Sequence, residues 1–181
     1  MRAVFLDRDG VLNAAAVRGG LPYPPATLDE LEILEEARLG CALLRASGFM
    51  LVCVTNQPDI ARGTADPIEV ARINAFLMQE LGLASVRVCP HDDADLCDCR
   101  KPKPGMILDA ARTFGLDPAQ SYLVGDRWRD IDAGTAAGCR TVFLNRGYLE
   151  RRPENYEYEA KSTLDASEWI VTVDQISGKR T

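Results

Sequence analysis

Apolar residues along this chain gather into short runs, and stretches of helical periodicity separate those runs from the first residues onward. Ala3–Leu6, Phe49–Val54, Ser85–Cys89, Tyr122–Val124 and Thr141–Leu144 are too short for helices and read as strands, the most uniformly apolar ones buried on both faces. A first helical pattern opens at Thr27-Leu28-Asp29-Glu30, a capping-box sequence, and runs to Ala46 with Gly48 as its stop. A second opens at Asp66-Pro67-Ile68-Glu69, where an N-cap aspartate precedes proline, and runs to about Leu81. Pro104 opens a third that reaches Phe114 before Gly115, and a fourth spans roughly Arg129 to Ala137. The Gly/Pro-rich segment Arg18–Pro25 and the charged segment Glu150–Lys161 predict loops, and a short terminal helix is expected near Leu164 to Ile170. Strand–helix alternation with short connections predicts one α/β domain over residues 1–181, built on a doubly wound, mainly parallel sheet.

Composition narrows the class of function. At 181 residues, 46% of them apolar, the chain is long enough for a real core. Twenty-one basic against 27 acidic side chains leave a net charge of −6, which argues against a nucleic-acid or membrane-surface partner. No apolar stretch reaches transmembrane length, and the N-terminus enters a strand without a leader-like pattern, so a cytoplasmic protein is expected. Of six cysteines, Cys41, Cys53 and Cys139 sit in apolar contexts as small core residues. Cys89, Cys97 and Cys99 cluster in a polar loop and are candidates for a metal rather than for disulfides.

The ends of the strands carry the chemistry. Strand one runs into Asp7-Arg8-Asp9-Gly10, and residues two apart in extended chain point the same way. Strand two ends in Thr55-Asn56, strand four in Gly125-Asp126, with Asp130 one helical turn on. Arg100-Lys101-Pro102-Lys103-Pro104-Gly105 lies between them. In an open α/β sheet all of these gather at the carboxyl edge, where ligands bind. Carboxylates, a hydroxyl and a lysine at one edge are the parts that phosphoryl transfer needs. One carboxylate can attack phosphorus, a second can protonate the leaving oxygen, and cations offset the charge. Paired carboxylates repel, and Mg²⁺ is the cation expected to relieve them. Asp130 can also serve the dipole of its own helix.

Asp7-x-Asp9-Gly10, Thr55, Lys101 and Gly125-Asp126-x-x-x-Asp130 resemble, in order, the four motifs of the haloacid-dehalogenase-like (HAD) phosphatases. The resemblance implies that Asp7 is nucleophile and Mg²⁺ ligand, and that Asp9 is general acid/base with a metal-bound carbonyl. It implies that Thr55 and Lys101 hold the phosphoryl oxygens and that Asp126 completes the metal site, with Asp130 behind it. Asp7–Asn13, Thr55-Asn56-Gln57, Ile60–Gly63 and Cys97–Met106 look more narrowly like the capless group of that family. That group holds the histidinol-phosphate phosphatases and the D-glycero-D-manno-heptose 1,7-bisphosphate phosphatases, and the match spans residues 1–147. It implies no large cap domain and a small phosphorylated sugar or metabolite as substrate. It also implies that Cys89-x-His91 and Cys97-x-Cys99 form a Cys₃His set for structural Zn²⁺ that pins the loop carrying Arg100 and Lys101; a polar loop that merely holds three thiols is the alternative.

Arg100 is the expected substrate-recognition residue, with Arg18, Arg127, Asn56 and Gln57 as further candidates. One departure bears on the substrate. Pro58-Asp59 stands where the heptose enzymes carry Ser-Gly, so a backbone donor is lost and a negative charge gained. The heptose bisphosphate is the first expectation, histidinol phosphate or another monoester the second, and a catalytically idle phosphate-binding module the third.

Overall fold

The computed structural model of the chain describes residues 1–178, with side chains through Ile176; residues 179–181 of the expected domain lie outside the described residues. In chain order the elements are β1 (Ala3–Leu6), β2 (Ala16–Arg18), β3 (Leu21–Tyr23), α1 (Glu35–Ala46), β4 (Met50–Asn56), α2 (Pro67–Leu81) and β5 (Ser85–Cys89). Then follow α3 (Gly105–Phe114), β6 (Tyr122–Gly125), α4 (Trp128–Ala137), β7 (Arg140–Leu144), β8 (Tyr158–Ala160) and α5 (Thr163–Gly178). Six strands form one sheet in the order β5-β4-β1-β6-β7-β8, and every neighbouring pair is parallel.

The two-residue period of a strand is visible in how β1 is buried. Val4 and Leu6 join Ala37, Cys41 and Leu44 of α1, Ile73 and Leu77 of α2 and Ile170 of α5 on one face. Ala3 and Phe5 join Ile107 and Ala110 of α3 and Ile131 and Ala137 of α4 on the other. Both faces are therefore dry, as uniformly apolar strands require, and each large side chain so buried contributes about 1.5–3 kcal/mol. The chain runs outward from β1 to β4 and β5, then returns to β6 on the other flank of β1. The strand order thus reverses at β1, and Asp7 follows that strand directly.

Four expectations are corrected. The Arg18–Pro25 segment contains an antiparallel hairpin, β2–β3, turned by Gly19 and Gly20 at φ +58° and +79°. Positive φ at both central residues fits a primed two-residue turn, and Pro22 is tolerated because a two-stranded ribbon has free edges. The pattern read as a helix from Thr27 is a single 3₁₀ turn over Leu28–Glu30, with no side-chain cap from Thr27, and α1 starts only at Glu35. Leu28 of that turn and Leu31, Ile33 and Leu34 of the chain after it pack on the core outside any α-helix, so their spacing imitates one. The charged Glu150–Lys161 stretch holds β8, and the terminal helix begins at Thr163 and exceeds the expected turn or two. The hairpin is too small to be a cap domain, and no described helix is long and apolar enough to cross a membrane.

Candidate active site

Asp7, Thr55 and Asp126 sit at the carboxyl edge of β1, β4 and β6, and the loop after β5 brings Lys101 in among them. The Lys101 ammonium is buried and donates to Asp7 Oδ1 at 2.7 Å, to the Val54 carbonyl at 2.7 Å and to Asp130 Oδ1 at 2.5 Å. Burial opposes its charge, but Asp130 and Asp7 outweigh that and hold its pKa above the usual lysine value. The Asp7 carboxyl is pushed up to about 6, first by burial and then by Asp130, against the pull of Lys101. Asp126 is raised well above the ordinary carboxylate range, by burial first and by Asp7 and Asp130 next. Three buried acids beside one lysine leave the site short of positive charge.

Asp9 is oriented rather than buried. It accepts from Gln57 Nε2 at 2.9 Å, Asn13 Nδ2 at 3.0 Å and Arg8 Nε at 3.2 Å. Gln57 also donates to Thr55 Oγ1 at 2.9 Å, so one amide ties the hydroxyl to the second aspartate. The Asn56 amide makes a two-way clamp on the Lys101 backbone, at 3.0 Å in each direction. Asp130 serves two partners: besides Lys101, its Oδ2 accepts from the Arg127 backbone N–H at 3.0 Å, capping α4.

A cavity of about 310 Å³ opens onto this cluster, lined by Asp7, Asp9, Thr55, Asn56, Lys101 and Asp130 at its floor. Arg100 and Arg127 line it as expected, whereas Arg18 lies on β2 with its guanidinium 5.5 Å from the Tyr23 ring and does not. Both of these lining arginines already have a carboxylate. Arg100 pairs with Asp93 at 2.8 Å, and Arg127 with Glu150 at 2.6 Å. Arg62 and Arg129 also line the cavity, paired with Asp92 at 2.7 Å and Asp93 at 3.1 Å. Sequence reasoning passed over both, although Arg62 stands in the quoted Ile60–Gly63 motif; nothing local distinguishes Arg129 from a solvated helix residue. Tyr148, from a segment without periodicity, was missed as well; its hydroxyl donates to Asp126 Oδ2 at 2.8 Å.

Among the described residues, two donor sets can hold a metal. Asp7, Asp126 and Asp130 each offer an oxygen within 4.8 Å of the others, and Asp126 Oδ1 is buried and bonds to none of the described residues. An orphaned, buried carboxylate oxygen beside two more acids fits a hard divalent cation. Asp9 contributes no side-chain oxygen to that set. In the loop after β5, His91 Nδ1 lies 3.3 Å from Cys99 Sγ, and Cys99 Sγ lies 3.2 Å from Cys89 Sγ and 3.5 Å from Cys97 Sγ. A tetrahedral ion with sulfur ligands at about 2.3 Å separates them by roughly 3.8 Å, so four donors this close are nearly at coordination spacing. The thiols respond unequally: burial pushes Cys89 up to about 12, while Cys97, against a burial cost, is brought to about 7 by the Arg100 backbone and its sulfur neighbours. A bound cation would favour thiolates throughout.

The chain matches the HAD-hydrolase-like family model over residues 98–166. It is 36% identical over 157 residues to the D-glycero-beta-D-manno-heptose-1,7-bisphosphate 7-phosphatase of Haemophilus ducreyi, covering 80% of this chain and 83% of that one. The enzyme of the same name from Photorhabdus laumondii is 34% identical over 174 residues, covering 90% and 88%. Among solved structures, the D,D-heptose 1,7-bisphosphate phosphatase of B. bronchiseptica, complexed with magnesium and phosphate, superposes with a TM-score of 0.82 at 29% identity, covering 96% of this chain and 99% of that one. Matches of this extent, on a fold and motif order already in place, settle the family: the chain belongs to the HAD-like phosphatases.

Proposed function

We propose that this phosphatase removes one phosphate from a small phosphorylated sugar, D-glycero-beta-D-manno-heptose 1,7-bisphosphate, through an aspartyl-phosphate on Asp7. The names of the relatives support the substrate. The observation that carries the chemistry is the Lys101 ammonium lodged between Asp7 and Asp130 at the floor of a cavity rimmed by arginines. It supports a nucleophile and a phosphoryl-holding cation within one bond of each other.

Asp7 attacks phosphorus, so a carboxylate–phosphorus bond forms as the bond from phosphorus to the sugar oxygen breaks. Asp9, steered by Gln57, Asn13 and Arg8, gives its proton to that departing oxygen and then takes one from the water that hydrolyses the acyl-phosphate. Inorganic phosphate leaves and Asp7 is restored. Thr55 and Lys101 hold the equatorial oxygens. Asp7, Asp126 and the Asp9 carbonyl, with Asp130 adjacent, would hold Mg²⁺, which would supply charge stabilisation and orientation of the phosphoryl group. Cys89, His91, Cys97 and Cys99 hold structural Zn²⁺ that fixes the Arg100-Lys101 arm. Arg100 and Arg127 receive the non-reacting end of the substrate, while Asn56 and Gln57 act by positioning Lys101, Asp9 and Thr55; Arg18 stands furthest from this reading.

A second reading, a histidinol phosphate or other monoester phosphatase, is favoured by one observation: Asp59 lines the cavity and pairs with Arg62 at 3.2 Å. The donor set speaks against an idle module, which needs none of it. Phosphate release from a metabolite panel with Mg²⁺ tests the proposal, with Asp7→Asn as control. Release is expected to be fastest from the heptose bisphosphate and absent in the variant. Release that persists with Asp7→Asn removes Asp7 as nucleophile, and preference for a monoester moves the assignment to the second reading.

A further inference from the structure

We propose that Tyr148 is a positioning residue for the cation site: its hydroxyl holds one oxygen of Asp126 so that the other is presented to Mg²⁺. The inference rests on the reading of Asp126 as a Mg²⁺ ligand. The phenol donates to Asp126 Oδ2 at 2.8 Å, while Oδ1 stays buried and unbonded to any described residue. A carboxylate pinned at one oxygen cannot rotate away from its metal, and outer partners of this kind commonly set ligand orientation. The chemistry of the donor matters too. A lysine or arginine at this place would neutralise the acid that has to bind a cation, whereas a phenol adds a hydrogen bond and no charge.

The surroundings hold the pair in place from three sides. Gly10 has φ +88°, and a Cβ there would run into Asp126 Oδ2 and the Tyr148 hydroxyl, so the turn after Asp9 is pressed against both. Arg146 donates to the Gly10 carbonyl at 2.8 Å and pairs with Glu36 at 2.5 Å, which fixes the segment just before Tyr148. The backbone N–H of Leu149 donates to the Gly20 carbonyl at 2.8 Å, which fixes the segment just after it to the β2–β3 hairpin. Tyr148 is thus locked on both flanks, and its hydroxyl reaches Asp126 from a strap that also touches the Asp7–Gly10 turn and the hairpin.

The test is calorimetric titration of Mn²⁺ into the substrate-free enzyme, comparing the unchanged protein, Tyr148→Phe and Asp126→Asn. Loss of the hydroxyl is expected to weaken Mn²⁺ binding about tenfold, the scale on which outer partners of metal ligands act, with a larger loss for Asp126→Asn. In assays the deficit of Tyr148→Phe should shrink as Mg²⁺ is raised. Unchanged or tighter Mn²⁺ binding by Tyr148→Phe, alongside a loss in Asp126→Asn, overturns the proposal and leaves the ligand reading standing. Equal binding by Asp126→Asn overturns the ligand reading itself. Melting in EDTA separates a packing role, because a Tyr148→Phe variant that only melts earlier and binds Mn²⁺ normally also defeats the proposal.

Discussion

At the scale of residues, the site trades stability for chemistry. Asp7, Asp126 and Asp130 are all buried and share one ammonium, so burial and mutual repulsion raise the cost of their charges. Asp7→Asn removes one of those charges and keeps an oxygen that can accept from Lys101, while Asp130 retains the lysine as well. The variant is therefore expected to be inactive yet more stable than the unchanged protein without metal, by about 1–3 kcal/mol, because burial and Asp130 push the Asp7 carboxyl up to about 6. Thermal unfolding in EDTA checks it, and a lower melting temperature for the variant sinks the argument. Asp7 and Asp9 were legible because their spacing puts two carboxylates at a strand end. Arg8 was not: it is fully buried, bonding Asp9 at 3.2 Å and Asn74 of α2 at 2.9 Å, and a single charged residue in a motif does not announce a role inside the core.

At the scale of elements, what the sequence made legible were those whose signal is local. Asp66 caps α2 at Ile68 with a 2.8 Å bond and Gly115 closes α3 in the left-handed conformation, as their positions in the sequence foretell; Gly82 closes α2 in the same way. Of the elements missed, β8 depends on a partner outside its own segment. β8 exists because Tyr158–Ala160 pairs with Val142–Leu144, and nothing within its charged stretch encodes that. The hairpin did carry a local signal, two glycines between short extended runs, which the neighbouring prolines obscured. The Cys/His loop lies between these cases, since clustering marked Cys89, Cys97 and Cys99 as metal candidates and the family resemblance added His91, but neither foretold how closely the four donors converge. It carries a prediction of its own. Cys97→Ser should take Zn²⁺ from about one equivalent per chain to none, because three donors rarely make a structural site. Asn56 still clamps the Lys101 backbone, so activity should fall without vanishing, by about ten- to a hundredfold, the effect of displacing a binding group by about 1 Å. Unchanged zinc content by elemental analysis defeats the site.

At the scale of the whole molecule, a net charge of −6 means that any attraction for a phosphorylated sugar must be local to the cavity. There, Arg62, Arg100, Arg127 and Arg129 are all committed to carboxylates, so a second phosphate must compete with Asp59, Asp92, Asp93 or Glu150 for them. Asp59 is the acid whose removal costs least. Among the described residues its side chain serves only Arg62, which Asp92 holds more closely through two further bonds, and the turn is anchored by the Asp59 backbone carbonyl instead. Asp59→Ser should therefore keep the fold and remove one negative charge from the wall. Two partly solvated charges some 4 Å apart interact by about 1 kcal/mol in water and more near a protein surface, so relief of one repulsion is worth several-fold in kcat/KM. The gain belongs to the substrate whose second phosphate comes near that wall. We expect kcat/KM to rise about three- to tenfold for the heptose bisphosphate, to stay level for a monophosphate of the same sugar, and the difference to shrink as salt is added. An equal change for both sugars would place the second phosphate elsewhere in the cavity, and a fall for the bisphosphate would make Asp59 a contact to its hydroxyls rather than a barrier to its charge.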